Sequence, residues 1–271
     1  MTILIKYPKQ TKEKNKAFFE KKDQELTNLD WAKWGGWFVT DGCFSKFLRR
    51  AYKIKEKNFY QRDVKLALRD RQPVELFSKT FETSLTYNEW KTITPEPYRY
   101  EYIAKVYHAR LTAEKAVWFT KNVYPYLIKQ EKKDFAAKLL GYRPESKDFA
   151  DWTPQEVRNY LATAVEGDGY VRCRSSKTTK YIETTLSSSD VQYLSDLKYL
   201  GENKLGLIFN LREATTYKTE EGEKTKYVLH LYGSRKNPNN IDFFKSLVKN
   251  NVMTLDRKKQ RVQEFLGAGP I

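Results

Sequence analysis

The sequence predicts an α+β fold of two pseudo-symmetric αββαββα repeats, with one helix from each repeat packed at the centre and antiparallel sheets flanking them. Three observations predict it. A helix-like apolar stretch ends in Asp-Gly twice, as Trp34-Gly-Gly-Trp-Phe-Val-Thr-Asp41-Gly42 and as Leu161-Ala-Thr-Ala-Val-Glu-Gly-Asp168-Gly169, with the acids 127 positions apart. Each copy is followed by the same order of elements: two strands, a helix, two strands and a helix. Within the strands, apolar and polar residues alternate, as Val64, Leu66 and Leu68 do with Asp63, Lys65 and Arg69. That is the period of a sheet with one buried and one wet face.

Residues 1 to 27 form an N-terminal arm in this reading. Positions 8 to 26 are rich in Lys, Glu and Gln with few apolar anchors, the pattern of a solvated arm or surface helix. The first repeat spans 28 to 141. Asn28 or Asp30 caps a helix running to Asp41, and Gly42 suits a left-handed residue that ends it. Strands are predicted at 43 to 56 and 59 to 69. Pro73 suits the first turn of a helix to Phe81. Strands at 90 to 95 and 99 to 111 follow, then helices at 113 to 124 and 127 to 140. Residues 142 to 152 break the pattern and read as a linker.

The second repeat spans 153 to 271. Thr153-Pro-Gln-Glu156 is a capping box with Pro at the first helical position. It opens the helix that ends at Asp168. Strands at 170 to 177 and 179 to 187 precede a helix from 190 to 200. Strands at 206 to 218 and 225 to 233 flank the turn Glu220-Glu-Gly-Glu-Lys224, and helices at 239 to 249 and 256 to 266 follow. Val74-Glu-Leu-Phe-Ser78 aligns with Val191-Gln-Tyr-Leu-Ser195, and His108 lies in its repeat's fourth strand as His230 does in the other.

Composition bounds the partners. The 271 residues hold 50 Lys and Arg against 34 Asp and Glu, a formal charge of +16 spread along the chain. Such a balance favours a polyanion, most simply nucleic acid, because neutralised phosphates release counterions. Cys43 and Cys173 are the only cysteines, and neither has a second Cys or a His at zinc spacing. They read as reduced, structural residues. No run approaches 18 apolar residues, and Met1-Thr-Ile-Leu-Ile-Lys6 is too short and too soon charged for a secretory signal. The expectation is an intracellular protein without a membrane partner.

The paired Asp-Gly ends carry the chemistry. An acid at a helix C-terminus faces the negative end of the dipole, at a cost of roughly 0.3–1 kcal/mol. A bound cation would compensate. Ala162, Thr163 and Gly167 keep one face of the second helix small, and Gly35, Gly36 and Thr40 do so in the first. If these faces pack together, both acids arrive at one point, where like charges are tolerated only with cations. Two-metal phosphodiester cleavage requires that arrangement.

At these residues the chain resembles the LAGLIDADG homing endonucleases of the single-chain, two-repeat type. Residues 161 to 169 keep the first two residues and the final Asp-Gly of the signature, and residues 34 to 42 keep a Gly at the third place and the Asp-Gly end. Trp34 and Trp37 are bulky where the family often has aliphatic residues, and Val39 stands where the motif name has Asp. The resemblance covers about residues 28 to 266. It implies that Asp41 and Asp168 bind divalent metal, Mg²⁺ with Mn²⁺ or Ca²⁺ as substitutes. It also implies basic or amide groups around the metals. Lys129, with Lys132, and Arg257, with Lys258, are the nearest cations in the last helices, Lys129 and Arg257 being assigned catalytic roles with the two acids. Asp70, Arg71 and Ser187 or Ser188 follow the second strands. Glu166 is read as a capping or orienting group.

The implied partner is double-stranded DNA, gripped by a monomer whose sheets form a saddle. Alternation places Gln61, Asp63, Lys65 and Arg69 on the wet face of the first repeat. On that of the second it places Arg172, Arg174, Tyr181, Glu183, Asn210, Arg212, Lys226 and His230. Arg to guanine, Gln or Asn to adenine, and Glu or Asp to cytosine are the pairings such a face offers. A ten-residue strand spans about 33 Å, so two sheets end to end cover on the order of 20 base pairs. The expected activity is metal-dependent double-strand cleavage of a long, non-palindromic target. An RNA-binding intron maturase, or a cleavage-dead DNA-binding protein on the same fold, is the alternative. The ends of the chain lack the His-Asn of protein splicing, so an intron-encoded or freestanding enzyme is expected rather than an intein.

Overall fold

The computed structural model describes residues 9–50, 58–93, 101–175, 180–219 and 222–267. In order these are α1 (Lys9–Glu25), α2 (Asn28–Thr40), β1 (Gly42–Arg50), β2 (Asn58–Leu68), α3 (Arg71–Thr80), β3 (Leu85–Ile93), β4 (Glu101–Thr112), α4 (Ala113–Val123) and α5 (Gln130–Leu140). The second half follows with α6 (Pro154–Gly167), β5 (Gly169–Ser175), β6 (Lys180–Ser188), α7 (Val191–Leu205), β7 (Phe209–Thr219), β8 (Gly222–Gly233), α8 (Pro238–Lys249) and α9 (Asp256–Gly267). The predicted strand ends at 51–56, 94–95, 99–100, 176–177 and 179, residues 1–8 of the arm and residues 220–221 of the turn lie outside the described residues.

Each half builds one antiparallel four-stranded sheet, in the orders β1-β2-β4-β3 and β5-β6-β8-β7. The shared order is the duplication predicted from the sequence. Val64, Leu66, Ala109 and Leu111 in one sheet, and Ile182, Leu186, Leu229 and Leu231 in the other, turn one face of each to the core. α3 and α7 cover those faces with Phe77, Leu194 and Leu197.

Several elements differ from their sequence expectation for local reasons. α2 is capped by Thr27, whose backbone N–H and hydroxyl both donate to Asp30 Oδ2, at 2.9 and 2.8 Å. β3 begins at Leu85, before the predicted 90, and a 3-10 turn at Tyr124–Tyr126 separates α4 from α5. α7 runs past the predicted 200 to Leu205, where Gly206 at φ +62° supplies the left-handed stop. Gly42, expected to be left-handed, is not. It and Gly169 are glycines because the chain doubles back tightly onto its helix: a Cβ on Gly42 would strike the Phe38 ring, and one on Gly169 would lie 2.7 Å from Val165 Cα.

The expected arm and linker are both docked. α1 lays Phe18 and Phe19 against Trp118 of α4, and Asp23 accepts a hydrogen bond from the Trp118 indole at 3.0 Å. In the linker, Trp152 is buried edge-on between Tyr126 and Tyr160. Lys147 pairs with buried Glu156 at 2.6 Å, and Glu156 also accepts from the Tyr126 hydroxyl at 2.9 Å.

Candidate active site at the seam of the central helices

α2 and α6 pack along the small-residue faces that the sequence marks. A Cβ on Gly36 would fall on Thr163 Oγ1 and 2.5 Å from Tyr160 O; one on Gly167 would fall on the Thr40 hydroxyl and 2.6 Å from Asp41 Oδ2. Only glycine permits this approach, and polar groups stitch it. Thr163 Oγ1 donates to Lys33 O at 2.9 Å and Asn159 Nδ2 to Leu29 O at 3.2 Å, both from α6 to α2. Trp34 turns away from the seam, meeting Phe77 and Phe81 edge-on or tilted at 5.3 Å, so its bulk serves the first repeat's own core.

The two helices therefore deliver Asp41 and Asp168 to one place as C-caps of α2 and α6. Asp41 is half-buried and its carboxyl is pushed up to about 6, first by burial and then by the charge of Asp168; the Thr40 hydroxyl at 3.0 Å, Lys132 and Lys258 oppose the shift. Asp168 presents more surface to solvent, yet the protein around it still raises its pKa by desolvation, opposed by Lys129, Lys132 and Lys258. The charge of Asp168 acting on Asp41 is the electrostatic mark of two acids sharing one site.

Two lysines hold matching positions around the acids. Lys132 is the third residue of α5 and donates to Gly42 O at 2.6 Å; Lys258 is the third residue of α9 and donates to Val165 O, Glu166 O and Gly169 O at 2.8, 2.5 and 2.6 Å. Lys258 therefore caps the C-terminus of α6, offsetting its dipole. Burial lowers both amines, Lys258 to about 8. Glu166 is the orienting group expected of it. Its buried carboxylate accepts the backbone N–H groups of Thr254 and Leu255, each at 2.6 Å, and so fixes the start of α9. Burial raises it to about 7.

The two cations assigned from sequence sit differently. Lys129 precedes α5, within electrostatic reach of Asp168, with its amine 3.7 Å from Glu131. Arg257 instead makes a two-pronged ion pair with Asp70, Nη2 to Oδ2 at 2.8 Å and Nε to Oδ1 at 3.1 Å. Its neighbour Lys258 is the inward one, since adjacent helical residues point about 100° apart. Arg71 pairs with Glu75, and Ser188 Oγ accepts from Asp190 N.

On the outer sheet faces, Arg69, Arg172, Arg174, Asn210, Arg212 and Lys226 are exposed, while Gln61, Lys65 and Tyr181 are partly covered. Two expected wet-face residues are not open. Asp63 is buried beneath an ion pair with Arg110, which the sequence reading had not marked, and takes a further hydrogen bond from Gln61 at 3.1 Å. His230 is buried between Glu183 and Arg212, so Glu183 too has a partner in the protein. Alternation gave the correct face in each case, but cross-strand neighbours close over it. Neither Cys43 nor Cys173 forms a disulfide, and Cys173 Sγ donates to Arg261 O at 3.0 Å. No helix among the described residues is long and apolar enough to cross a membrane.

Two sheets of matching topology, two central helices with touching glycine faces and a pair of terminal acids define the single-chain, two-repeat LAGLIDADG fold. The chain is similar in structure to the LAGLIDADG homing endonuclease I-GzeII in complex with its DNA target, at a TM-score of 0.51 and 14% identity over 88% of each chain. It is likewise similar to the meganuclease I-SmaMI bound to uncleaveable DNA, at a TM-score of 0.50 and 14% identity, covering 89% of this chain and 90% of that one. No protein-family model matches the sequence, and no curated protein is similar to it.

Proposed function

We propose that this protein is a site-specific DNA endonuclease that cuts both strands of a long, non-palindromic duplex with Mg²⁺, as a monomer. The convergence of Asp41 and Asp168 at the helix seam is the observation that carries the reading: no packing need puts two like charges there, and one already lifts the other's pKa.

The donors fit a hard cation. They are carboxylate oxygens, and no group of three or more His, Cys, Asp or Glu gathers among the described residues. Mg²⁺ suits such a site, because it is often held by one or two carboxylates and completed by substrate phosphate and water. When bound, it supplies an activated water and charge stabilisation at the leaving oxygen. Asp41 and Asp168 hold the cations, each serving one strand. Lys132 and Lys258 keep the helix ends in place and add positive charge beside the scissile phosphates. The exposed Arg and Lys residues of both sheets supply the phosphate and base contacts, consistent with the +16 charge. The similar proteins I-GzeII and I-SmaMI are described bound to DNA, which supports the same partner here.

Asp41→Asn and Asp168→Asn test the reading. Each variant should lose double-strand cutting in Mg²⁺ while binding the duplex normally in Ca²⁺. Normal cutting by both would refute it. Tighter binding to structured intron RNA than to any duplex selected from a randomised pool would favour the maturase instead.

A further inference from the structure

Arg212, an exposed cation of the second sheet, is held from behind. It lies on β7, two residues beyond Asn210, which pairs in register with His230 of β8. Its Nε donates to His230 Nε2 at 3.0 Å. Arginine can only donate, so Nε2 must present a lone pair and the imidazole proton sits on Nδ1. Nδ1 lies 3.1 Å from Glu183 Oε1 and 3.2 Å from the Tyr232 hydroxyl. The imidazole is further fixed by stacking on Tyr232, with the planes 5° apart and the centroids at 5.5 Å. His230 is 5% exposed, whereas Arg212 is exposed. The contacts therefore run from a partly buried acid through a buried, orientation-locked histidine to a solvent-facing guanidinium.

We infer that Arg212 is a specificity-determining residue that reads one guanine in the major groove, and that His230 and Glu183 are positioning residues that aim it. This rests on the duplex-DNA reading above. Fixing Nε spends the inner edge of the fork on the protein and leaves the two terminal nitrogens, which have no protein partner among the described residues. That pair matches the O6 and N7 acceptors of guanine end-on. Holding the side chain beforehand removes rotamer freedom that an unsupported surface arginine loses on binding. Among the described residues nothing comparable supports Arg172 or Arg174, the exposed arginines of β5. They carry charge to the backbone without imposing a base.

The test is selection of the full chain and three variants from a randomised duplex DNA pool in Ca²⁺, followed by affinity measurement on single-base changes of the selected site. Arg212→Lys should relax the preference for guanine at one position, on the order of tenfold to a hundredfold, with other positions unchanged. His230→Asn places an amide near Nδ1 and removes the acceptor for Arg212, so the same position should relax. His230→Gln places an acceptor near Nε2 and should retain the preference. Relaxation at no position, or evenly at all positions, in Arg212→Lys overturns the assignment of Arg212. An unchanged profile in His230→Asn, or equal losses in both histidine variants, overturns the positioning role. A wild-type chain that selects no duplex sequence refutes the endonuclease reading itself, an outcome distinct from both.

Discussion

Asp41 costs the metal-free fold stability, and replacing it with Asn should recover that stability. The carboxyl titrates near pH 6 in the folded protein, against about 3.9 in an unfolded chain. The folded state thus holds the proton more tightly, and ionisation penalises folding. The penalty is absent below about pH 4, grows as pH rises, and is complete above about pH 6. Two units at about 1.36 kcal/mol each set a ceiling near 3 kcal/mol. Partial exposure of the side chain and solvent screening reduce this to about 1–2 kcal/mol. In a chain of this size that is a rise in Tm of roughly 2–6 °C. The assay is thermal denaturation of wild type and Asp41→Asn in chelator across about pH 4 to pH 8. The variant should draw level with wild type at the acid end and lead it above pH 6. Adding Mg²⁺ or Ca²⁺ should then stabilise the wild type more than the variant, by mass action on the folded state. A difference that ignores pH, or a variant less stable than wild type at pH 8, would refute the reasoning.

Three further outcomes follow from the same geometry. Gly36→Ala should gain about 1 kcal/mol in helix propensity yet lose about 1–3 kcal/mol net in urea melts, because its Cβ would meet Thr163 and the Tyr160 carbonyl; an unchanged midpoint would mean the seam can open freely. Glu166→Ala strands two N–H groups at the start of α9, that of Leu255 buried and that of Thr254 partly so, and should cost about 2–4 kcal/mol, with faster hydrogen exchange at Thr254 and Leu255, whereas Glu166→Gln should retain most of the stability. Duplex affinity should fall steeply and linearly on a log scale with added salt, and each exposed arginine changed to Ala on β5 should reduce that slope by about one.

Much of the fold was legible because the decisive signals are local. The capping box at Thr153 and Glu156 and the Asp-Gly ends each act within a few residues, and the structure places them where the pattern does. The glycine and threonine faces at positions 35, 36, 40, 163 and 167 were readable as a seam because small residues at helical spacing have few other uses. What the sequence withheld was side-chain phase and cross-strand company. Nothing in Arg257-Lys258 says which residue faces the acids; that depends on the rotation of α9, which Glu166 sets from 89 residues before Leu255. Alternation puts Asp63 and His230 on the outer face, yet Arg110 and Arg212 arrive from neighbouring strands to cover them. The linker's composition reads as flexible, but a single Trp152 between two tyrosines is enough to dock it.

The glycine contacts between α2 and α6 also decide which halves can marry. Gly36 and Thr163 occupy the same place in their respective motifs, the third, and they meet each other; Thr40 and Gly167 share the seventh place and meet likewise. Both of these levels thus pair a hole with a peg. Two copies of the first repeat would face glycine with glycine at one level, a void, and threonine with threonine at the next, a collision. Two copies of the second repeat would suffer the same faults in reverse order. The seam is therefore a lock that fits only the unlike half, and a chain built on it can let its two halves diverge from one another without reverting to a symmetric dimer.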